Sequence, residues 1–315
     1  MSKKALVLGA NGQDGSYLLE HLLFSGWTVV GVGRQARSLW VVPNERYTYV
    51  ELDIQNHGAL LDFVATLSPD YIFHAAAVHG MAGFSYENVW DSVLAVNTQS
   101  VFAILEYLRR KPDCGFCYIS SAKVFGDIAG LTVSELSKRQ SDCIYSISKN
   151  AAYDLIKYYR IRHSVRAVVA WTFNHDSPRR GDDFFIPRVV RTLAQSVLNP
   201  SHFESFERLR FWGNWGSASE YMHILVCLAN MNVFDDFVFA APETVWAESF
   251  VADLFKSKNL NWKDHIHLLS QPELEISLSF TVDMSKLFRA SGLKTVKNCY
   301  DVADEMLQAM TLSKV

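Results

Sequence analysis

The chain has 315 residues, 49% of them hydrophobic and 20% charged, with a formal net charge of −3. That balance suits a globular protein with a large core in one or two domains, and it excludes the basic surface that nucleic-acid binding needs. No apolar run approaches the ~20 residues of a membrane span, and the stretch before Gly9 is too brief for a secretory signal, so a cytoplasmic location is expected.

The first predicted strand, 4–8, runs into Gly9-Ala-Asn11-Gly12-Gln13-Asp14-Gly15-Ser-Tyr-Leu18, where a helix over 13–25 begins. Glycines at 9, 12 and 15 give a GxxGxxG spacing. Gly9 permits the tight turn, Gly12 lets backbone approach a phosphate, and Gly15 lets helix and strand pack closely. The helix N-terminus offers free N–H groups to a pyrophosphate. Gly9, Asn11, Gly12, Gln13, Asp14 and Gly15 are therefore the candidate dinucleotide cradle. A strand over 28–32 ends before Arg34, with Arg37 close behind and no acid in between. An acid there grips a ribose 2′-hydroxyl, whereas a guanidinium suits a 2′-phosphate. NADP(H) is accordingly favoured over NAD(H), unless Arg34 is merely a solvated strand-end charge. Asp53, closing a strand over 47–52, is placed either to contact the adenine or to cap the helix over 56–67.

A strand over 70–76 leads into Ala75-Ala76-Ala77, followed by a helix over 87–110 that carries Asn97. The next strand, 115–120, ends at Ser120-Ser121. The pair Cys114 and Cys117 has a CxxC spacing but sits in an apolar run without a second ligand pair, so both read as core. The other cysteines show no disulfide pattern, and the histidines (His74, His79, His163 and His223 among them) show no metal spacing. A helix over 143–162 and a strand over 166–172 complete a first unit in which strands and helices alternate. This is the pattern of an α/β doubly wound parallel sheet, a Rossmann arrangement, with ligands at the carboxyl ends of the strands. After residue 173 the pattern loosens: helices over 185–198, 220–231, 247–258 and 300–312, and a strand over 208–211. The expected division is a NAD(P)-binding domain at 1–172 and a smaller substrate-binding lobe at 173–315, with some chain interchange.

Tyr145-Ser-Ile-Ser-Lys149 places a phenol and an ammonium at i and i+4 on one helix face. Lys149 can then sit beside both the phenol and the nicotinamide ribose, lowering the phenol's pKa for acid–base work. Ser121 can hydrogen-bond the same substrate oxygen. Together the three describe hydride chemistry at a carbinol carbon.

These features resemble the extended short-chain dehydrogenases/reductases of the NAD-dependent epimerase/dehydratase family. Within it the chain is most similar to the GDP-mannose 4,6-dehydratases. Gly9 to Leu18 matches their nucleotide turn, and Phe173-Asn174-His175-Asp176-Ser177-Pro178-Arg179-Arg180-Gly181 resembles their Phe-Asn-His-Glu-Ser-Pro-Arg-Arg-Gly segment. Ala75 and Ala77 after the fourth strand and Asn97 fit the same pattern. The resemblance implies a nucleotide-sugar substrate with Asn174 near its diphosphate, Arg180 lining the cleft, and a homodimer or homotetramer joined through the helices at 87–110 and 143–162.

The departures bear on the reaction. The dehydratases carry a glutamate two residues after the catalytic Thr or Ser, and that place holds Lys123. An ammonium cannot act as the same base, and Ser120 to Gly126 is closer to the loop of sugar 4-epimerases. Where the family has Arg-Asp-Trp, the chain reads Ser219-Glu220-Tyr221, and where it has Arg-Pro, Gln271-Pro272. Arg188 and Arg210 are candidates to replace those phosphate clamps. The expected function is therefore oxidoreduction at C4 of a nucleotide-linked sugar, as 4-dehydrogenase, 4-ketoreductase or 4-epimerase. One alternative is a 4,6-dehydratase using another acid such as Asp127 or Glu135; another is a non-catalytic sensor of NADP(H) or nucleotide sugar.

Overall fold

The computed structural model describes residues 2–80, 83–270 and 278–312. Gln271-Pro272 lies outside the described residues. A seven-stranded parallel sheet forms the centre. Its first half is built in chain order from β1 (Lys4–Leu8), α1 (Gln13–Phe24), β2 (Thr28–Gly33), β3 (Tyr47–Glu51), α2 (His57–Leu67) and β4 (Tyr71–His74). Then come α3 (Trp90–Leu94), α4 (Ser100–Leu108), β5 (Gly115–Ser121), β6 (Thr132–Val133), α5 (Ile144–His163) and β7 (Ala167–Thr172). The remainder comprises β8 (Asn174–Asp176), α6 (Phe185–Leu198), β9 (Glu204–Phe206), β10 (Trp212–Gly213), β11 (Trp215–Ser217), α7 (Ala218–Asn230) and β12 (Asp236–Phe239). It ends with β13 (Val245–Trp246), α8 (Ala247–Lys256), β14 (Ile266–Leu268), β15 (Thr281–Val282), α9 (Ser285–Ser291) and α10 (Cys299–Leu312).

The sheet order is β12-β7-β5-β4-β1-β2-β3. Leu8 is in register with Val32 on one side and His74 on the other, so the order reverses at β1. Ligands of doubly wound sheets bind at such a switch point, beyond the carboxyl ends of the strands. Alternation along β1 sends Leu6 and Leu8 into one core and Ala5 and Val7 into the other. Both faces of the sheet are covered, which is why its strands read as continuous apolar runs. A third core, around Leu193, Trp215 and Phe250, joins α6, α8 and α10.

Chain from beyond residue 173 returns to the first unit: β12 pairs with β7, and α7 packs on α1 within the second core. The expected strand over 208–211 does not form. Leu209 is buried in the third core, and the Phe211 carbonyl accepts from Ala247 N at 3.0 Å, so strand pairing occurs on either side, at β9 and β10. The helix expected over 87–110 is also interrupted. A 3-10 turn (Tyr86–Val89) precedes α3, and a π turn (Ala95–Gln99) separates α3 from α4.

Candidate active site

A cavity of about 260 Å³ lies at the switch point. It is lined by Gly9, Asn11, Gly12, Gln13 and Asp14 from the glycine turn, by Arg34 and Asp53 beyond β2 and β3, and by Ala75, Ala77 and His79 after β4. Gly9 has φ +88°, and a Cβ there would fall 2.7 Å from the Ala76 nitrogen. A Cβ on Gly15 would fall 2.1 Å from the Gly9 carbonyl oxygen, so only glycine brings α1 this close to β1. Asn11 ties down the loop after β2: it accepts from Leu39 N at 2.9 Å and donates to the Arg37 carbonyl at 2.9 Å. Arg34 stands exposed at the start of that loop, and Asp53 accepts from Gln55 N at 3.0 Å, turning the chain toward α2, whose cap is Asn56. This cradle fits a nicotinamide dinucleotide: the glycines put no side chain between the turn and a phosphate, and the N-terminus of α1, at Gln13 and Asp14, faces the space.

The catalytic candidates converge beside it. Tyr145 stands on the first turn of α5, which is fixed because Ser146 Oγ accepts from Cys143 N at 3.1 Å and Asp142 N at 3.0 Å. Burial pushes the Tyr145 phenol well up, against a hydrogen bond to Ser121 and the charge of Arg180. Lys149, one turn on, is buried and donates to the Ile119 carbonyl at 2.8 Å, with its Nζ 5.8 Å from the centre of the Tyr145 ring. Burial brings its ammonium down to about 7, with Asp14 opposing. Asn97, in the π turn, braces both parts: it accepts from Val78 N at 2.9 Å and donates to Ser148 Oγ at 3.1 Å.

The family-like segment after β7 is clamped to the glycine turn. Ser177 Oγ donates to Gln13 at 2.9 Å, Gln13 donates to the His175 carbonyl at 3.1 Å, and His175 Nε2 meets Asp14 at 2.9 Å. Arg179 donates to Ser16 Oγ at 2.9 Å, pairs with Glu20, and stacks its guanidinium on Tyr17. Burial opposes ionisation of Asp14, but His175 and Arg180 outweigh it and bring the carboxyl down to about 2. Arg180 lies in the cleft wall on Phe184, with Asp176 at 3.4 Å, and its buried Nε makes no hydrogen bond. His79 packs on Phe184 and is brought down to about 4 by burial and Arg180.

Other candidates stand elsewhere. Lys123 follows Ser121 on a 3-10 turn (Ala122–Phe125), donates its backbone N–H to Ser121 Oγ at 3.2 Å, and holds a half-exposed ammonium 3.8 Å from Asp142. Asn174 is exposed on β8, paired with β11. Arg188 is engaged by Glu204 at 2.7 Å and the Ser205 carbonyl at 2.5 Å. Arg210 lies 3.7 Å from Glu248 and borders a second cavity, of about 390 Å³, that shares no lining residue with the first. Ser219, Glu220 and Tyr221 sit at the start of α7 and serve packing: the Ser219 carbonyl meets His21, Glu220 accepts from Val296 N and Lys297 N, and Tyr221 is buried. Tyr86, which stacks on Tyr145, carries no motif that the sequence could reveal.

A family model described as GDP-mannose 4,6 dehydratase matches residues 6–298. GDP-mannose 4,6 dehydratase 2 of Caenorhabditis elegans is 28% identical over 262 residues, 79% of this chain and 69% of its own. Two solved structures share the fold. One is dTDP-glucose 4,6-dehydratase from Bacillus anthracis in complex with NAD, with TM-score 0.82 and 15% identity, covering 99% of this chain and 98% of that one. The other is UDP-glucuronic acid 4-epimerase from Bacillus cereus in complex with UDP-glucuronic acid and NAD, with TM-score 0.82 and 18% identity, covering 98% and 99%. No helix among the described residues is long and apolar enough to cross a membrane. With nearly the whole chain matched, the protein belongs to the GDP-mannose 4,6 dehydratase family.

Proposed function

We propose that the protein oxidises or reduces C4 of a nucleotide-linked sugar, with a GDP-sugar the first choice, as a 4-dehydrogenase, 4-ketoreductase or 4-epimerase. The observation that carries this is the pairing of an intact Tyr145–Ser121–Lys149 set with an ammonium, Lys123, two residues beyond Ser121. Tyr145 takes the proton of the C4 hydroxyl, or returns it. Ser121 holds the same oxygen, and Arg180 supplies positive charge that favours the phenolate. The lowering expected from Lys149 is not seen, because burial dominates and raises the phenol, so Lys149, 5.8 Å from the ring centre, is left the ribose contact. A nicotinamide cofactor, when bound, would supply the hydride acceptor and donor for C4. Gly9, Asn11, Gly12, Gln13 and Asp14 would hold its pyrophosphate end, Ala75 and Ala77 its face, Asp53 its adenosine, and Arg34 a 2′-phosphate, so NADP(H) is the preferred form. Lys123, Asn174 and Arg180 are the remaining candidates for the substrate; Arg188 and Arg210 would first have to leave Glu204 and Glu248.

Family membership favours a second reading, the 4,6-dehydratase, which needs a base at the sugar. The acids on offer are otherwise engaged: Asp127 accepts from Ala129 N at 3.1 Å, and Glu135 from Val238 N at 3.0 Å. The deciding experiment incubates the protein with GDP-mannose and related nucleotide sugars and weighs the products. Loss of two hydrogens, or an isobaric epimer, supports C4 chemistry alone. Loss of one water establishes the dehydratase instead. Tyr145→Phe is expected to lower the rate by at least ~10²-fold, the scale of a lost acid–base group.

A further inference from the structure

One face of the Tyr145 phenol is covered by a second phenol. The Tyr86 ring centre lies 5.7 Å from that of Tyr145, with the planes 21° apart. This is the offset-parallel arrangement in which aromatic rings attract. Tyr86 is itself held: its hydroxyl accepts from Gly80 N at 3.0 Å and faces the Gly80 carbonyl at 3.4 Å, and Phe84 meets it edge-on at 4.9 Å. Gly80 makes that possible, since a Cβ there would lie 2.1 Å from the Phe84 ring. The neighbouring residue, His79, lines the cofactor cleft and packs on Phe184. Gly80, next to His79 in the cleft wall, is therefore hydrogen-bonded to the ring that covers the face of the acid–base candidate.

A phenol on a helix carries its hydroxyl away when it swings about its first torsion, unless neighbours restrict that swing. The Tyr145 hydroxyl has to stay on Ser121 and near Lys149, and its ring has to exclude water that would compete for the same proton. The stacked ring supplies both constraints from a position whose own hydroxyl is already occupied by Gly80.

We propose that Tyr86 is a positioning residue that fixes the rotamer of Tyr145 and shields its hydroxyl from water. The inference rests on the reading of Tyr145 as the acid–base group. Tyr86 acts through Tyr145 and transfers no proton of its own.

The test labels the full-length protein with 3-fluorotyrosine and follows fluorine NMR against pH; the Tyr145 signal is the one absent from Tyr145→Phe. Tyr86→Leu is expected to move that signal and to lower the pH at which it titrates. Tyr86→Phe and Tyr86→Trp, which keep a ring, should restore both toward wild type. In turnover, Tyr86→Leu should lower kcat between about tenfold and a hundredfold, the scale of a misplaced reacting group, with KM for the cofactor unchanged. An unmoved signal and titration in Tyr86→Leu overturn the inference, even where Tyr145→Phe is inactive. So does a Tyr86→Phe variant as disturbed as Tyr86→Leu. A fully active Tyr145→Phe overturns the acid–base reading instead.

Discussion

Asp14, in the glycine turn, and His175, in the segment after β7, meet at 2.9 Å, and the other ring nitrogen of His175 faces the Phe173 carbonyl at 2.7 Å. With an acceptor oxygen at each nitrogen, the protonated ring of His175 can donate from both, which raises its pKa and favours the cation. The bond joins the cofactor cradle to the chain that leads into the second lobe. It also gives Gln13, Asp14, Ser16 and Tyr17 a common reason to occur together, since all four contact residues 175–179.

Removing that cation has a pH signature. The Asp14 carboxyl lies below its ordinary 3.8, at about 2, whereas His175 is raised above 6.5 by Asp14 against the effect of burial. A depressed carboxyl stabilises above its unfolded value, and a raised imidazole stabilises below its own. The pair therefore contributes in full between about pH 4 and 6.5, fading as pH falls toward 2 or rises through the raised His175 midpoint. His175→Leu should cost about 1.5–3 kcal/mol in that window, the range for hydrogen bonds to charged groups. Thermal melts of the two proteins should diverge most there and draw together in alkali; a gap that widens with alkali contradicts the assignment.

The parts of the molecule legible in the sequence are those set by local rules. β1 and β4 read as strands because nearly every residue in them is buried, and the 9, 12, 15 spacing reads because each glycine answers a separate steric demand. The parts that were not legible depend on distant partners. Leu209-Arg-Phe has strand composition, yet its backbone is used by Ala247, while the short run Asp236–Phe239 becomes the edge strand beside β7 only through tertiary pairing. The apolar periodicity of 87–110 hides the π turn, because Asn97 and Ser100 are polar and fully buried, a state that composition does not announce. Tyr86 reaches the site from a single 3-10 turn and Asp142 from a loop, where spacing carries no information.

Lys149 should show a conflict between stability and function. Burial takes its ammonium from 10.5 to about 7, so the folded protein bears the cost of a buried charge at low pH and loses it as pH rises from about 7 toward 10.5. Lys149→Met keeps the length and apolar stem without the charge. It should abolish turnover while raising stability by about 1 kcal/mol, or ~2 °C for a chain of this size. The gain should be larger at pH 6 than at pH 9. A melting temperature that falls at pH 6 would mean that the bond to Ile119 outweighs the charge.

Arg34 tests the cofactor choice. Its guanidinium is exposed at the rim of the cleft, at the carboxyl end of β2, with no acid in the 34–40 loop to grip a ribose hydroxyl. Charge-assisted contacts to a phosphate contribute about 1.5–3 kcal/mol, and each 1.4 kcal/mol is a tenfold change in affinity. Arg34→Ala should therefore weaken NADP(H) by roughly ten- to a hundredfold and leave NAD(H) within about twofold, measured by titration calorimetry. Equal weakening of both refutes a 2′-phosphate role.

The outer faces of α4 and α5 carry apolar side chains that their own fold leaves uncovered: Phe102 is 46% exposed, Tyr158 53% and Ile161 72%. The two helices pack side by side on the sheet, so a second copy related by a two-fold axis would close these faces into a four-helix interface. Clustered exposed apolar residues of this kind mark association surfaces. A carboxylate in the middle of such an interface would be stripped of water and left unpaired. The double variant Tyr158→Glu, Ile161→Glu should therefore shift the protein from dimer or tetramer to monomer by light scattering after size exclusion. Because both side chains face outward, the monomer should keep its circular dichroism. A variant that stays fully associated would place the interface elsewhere.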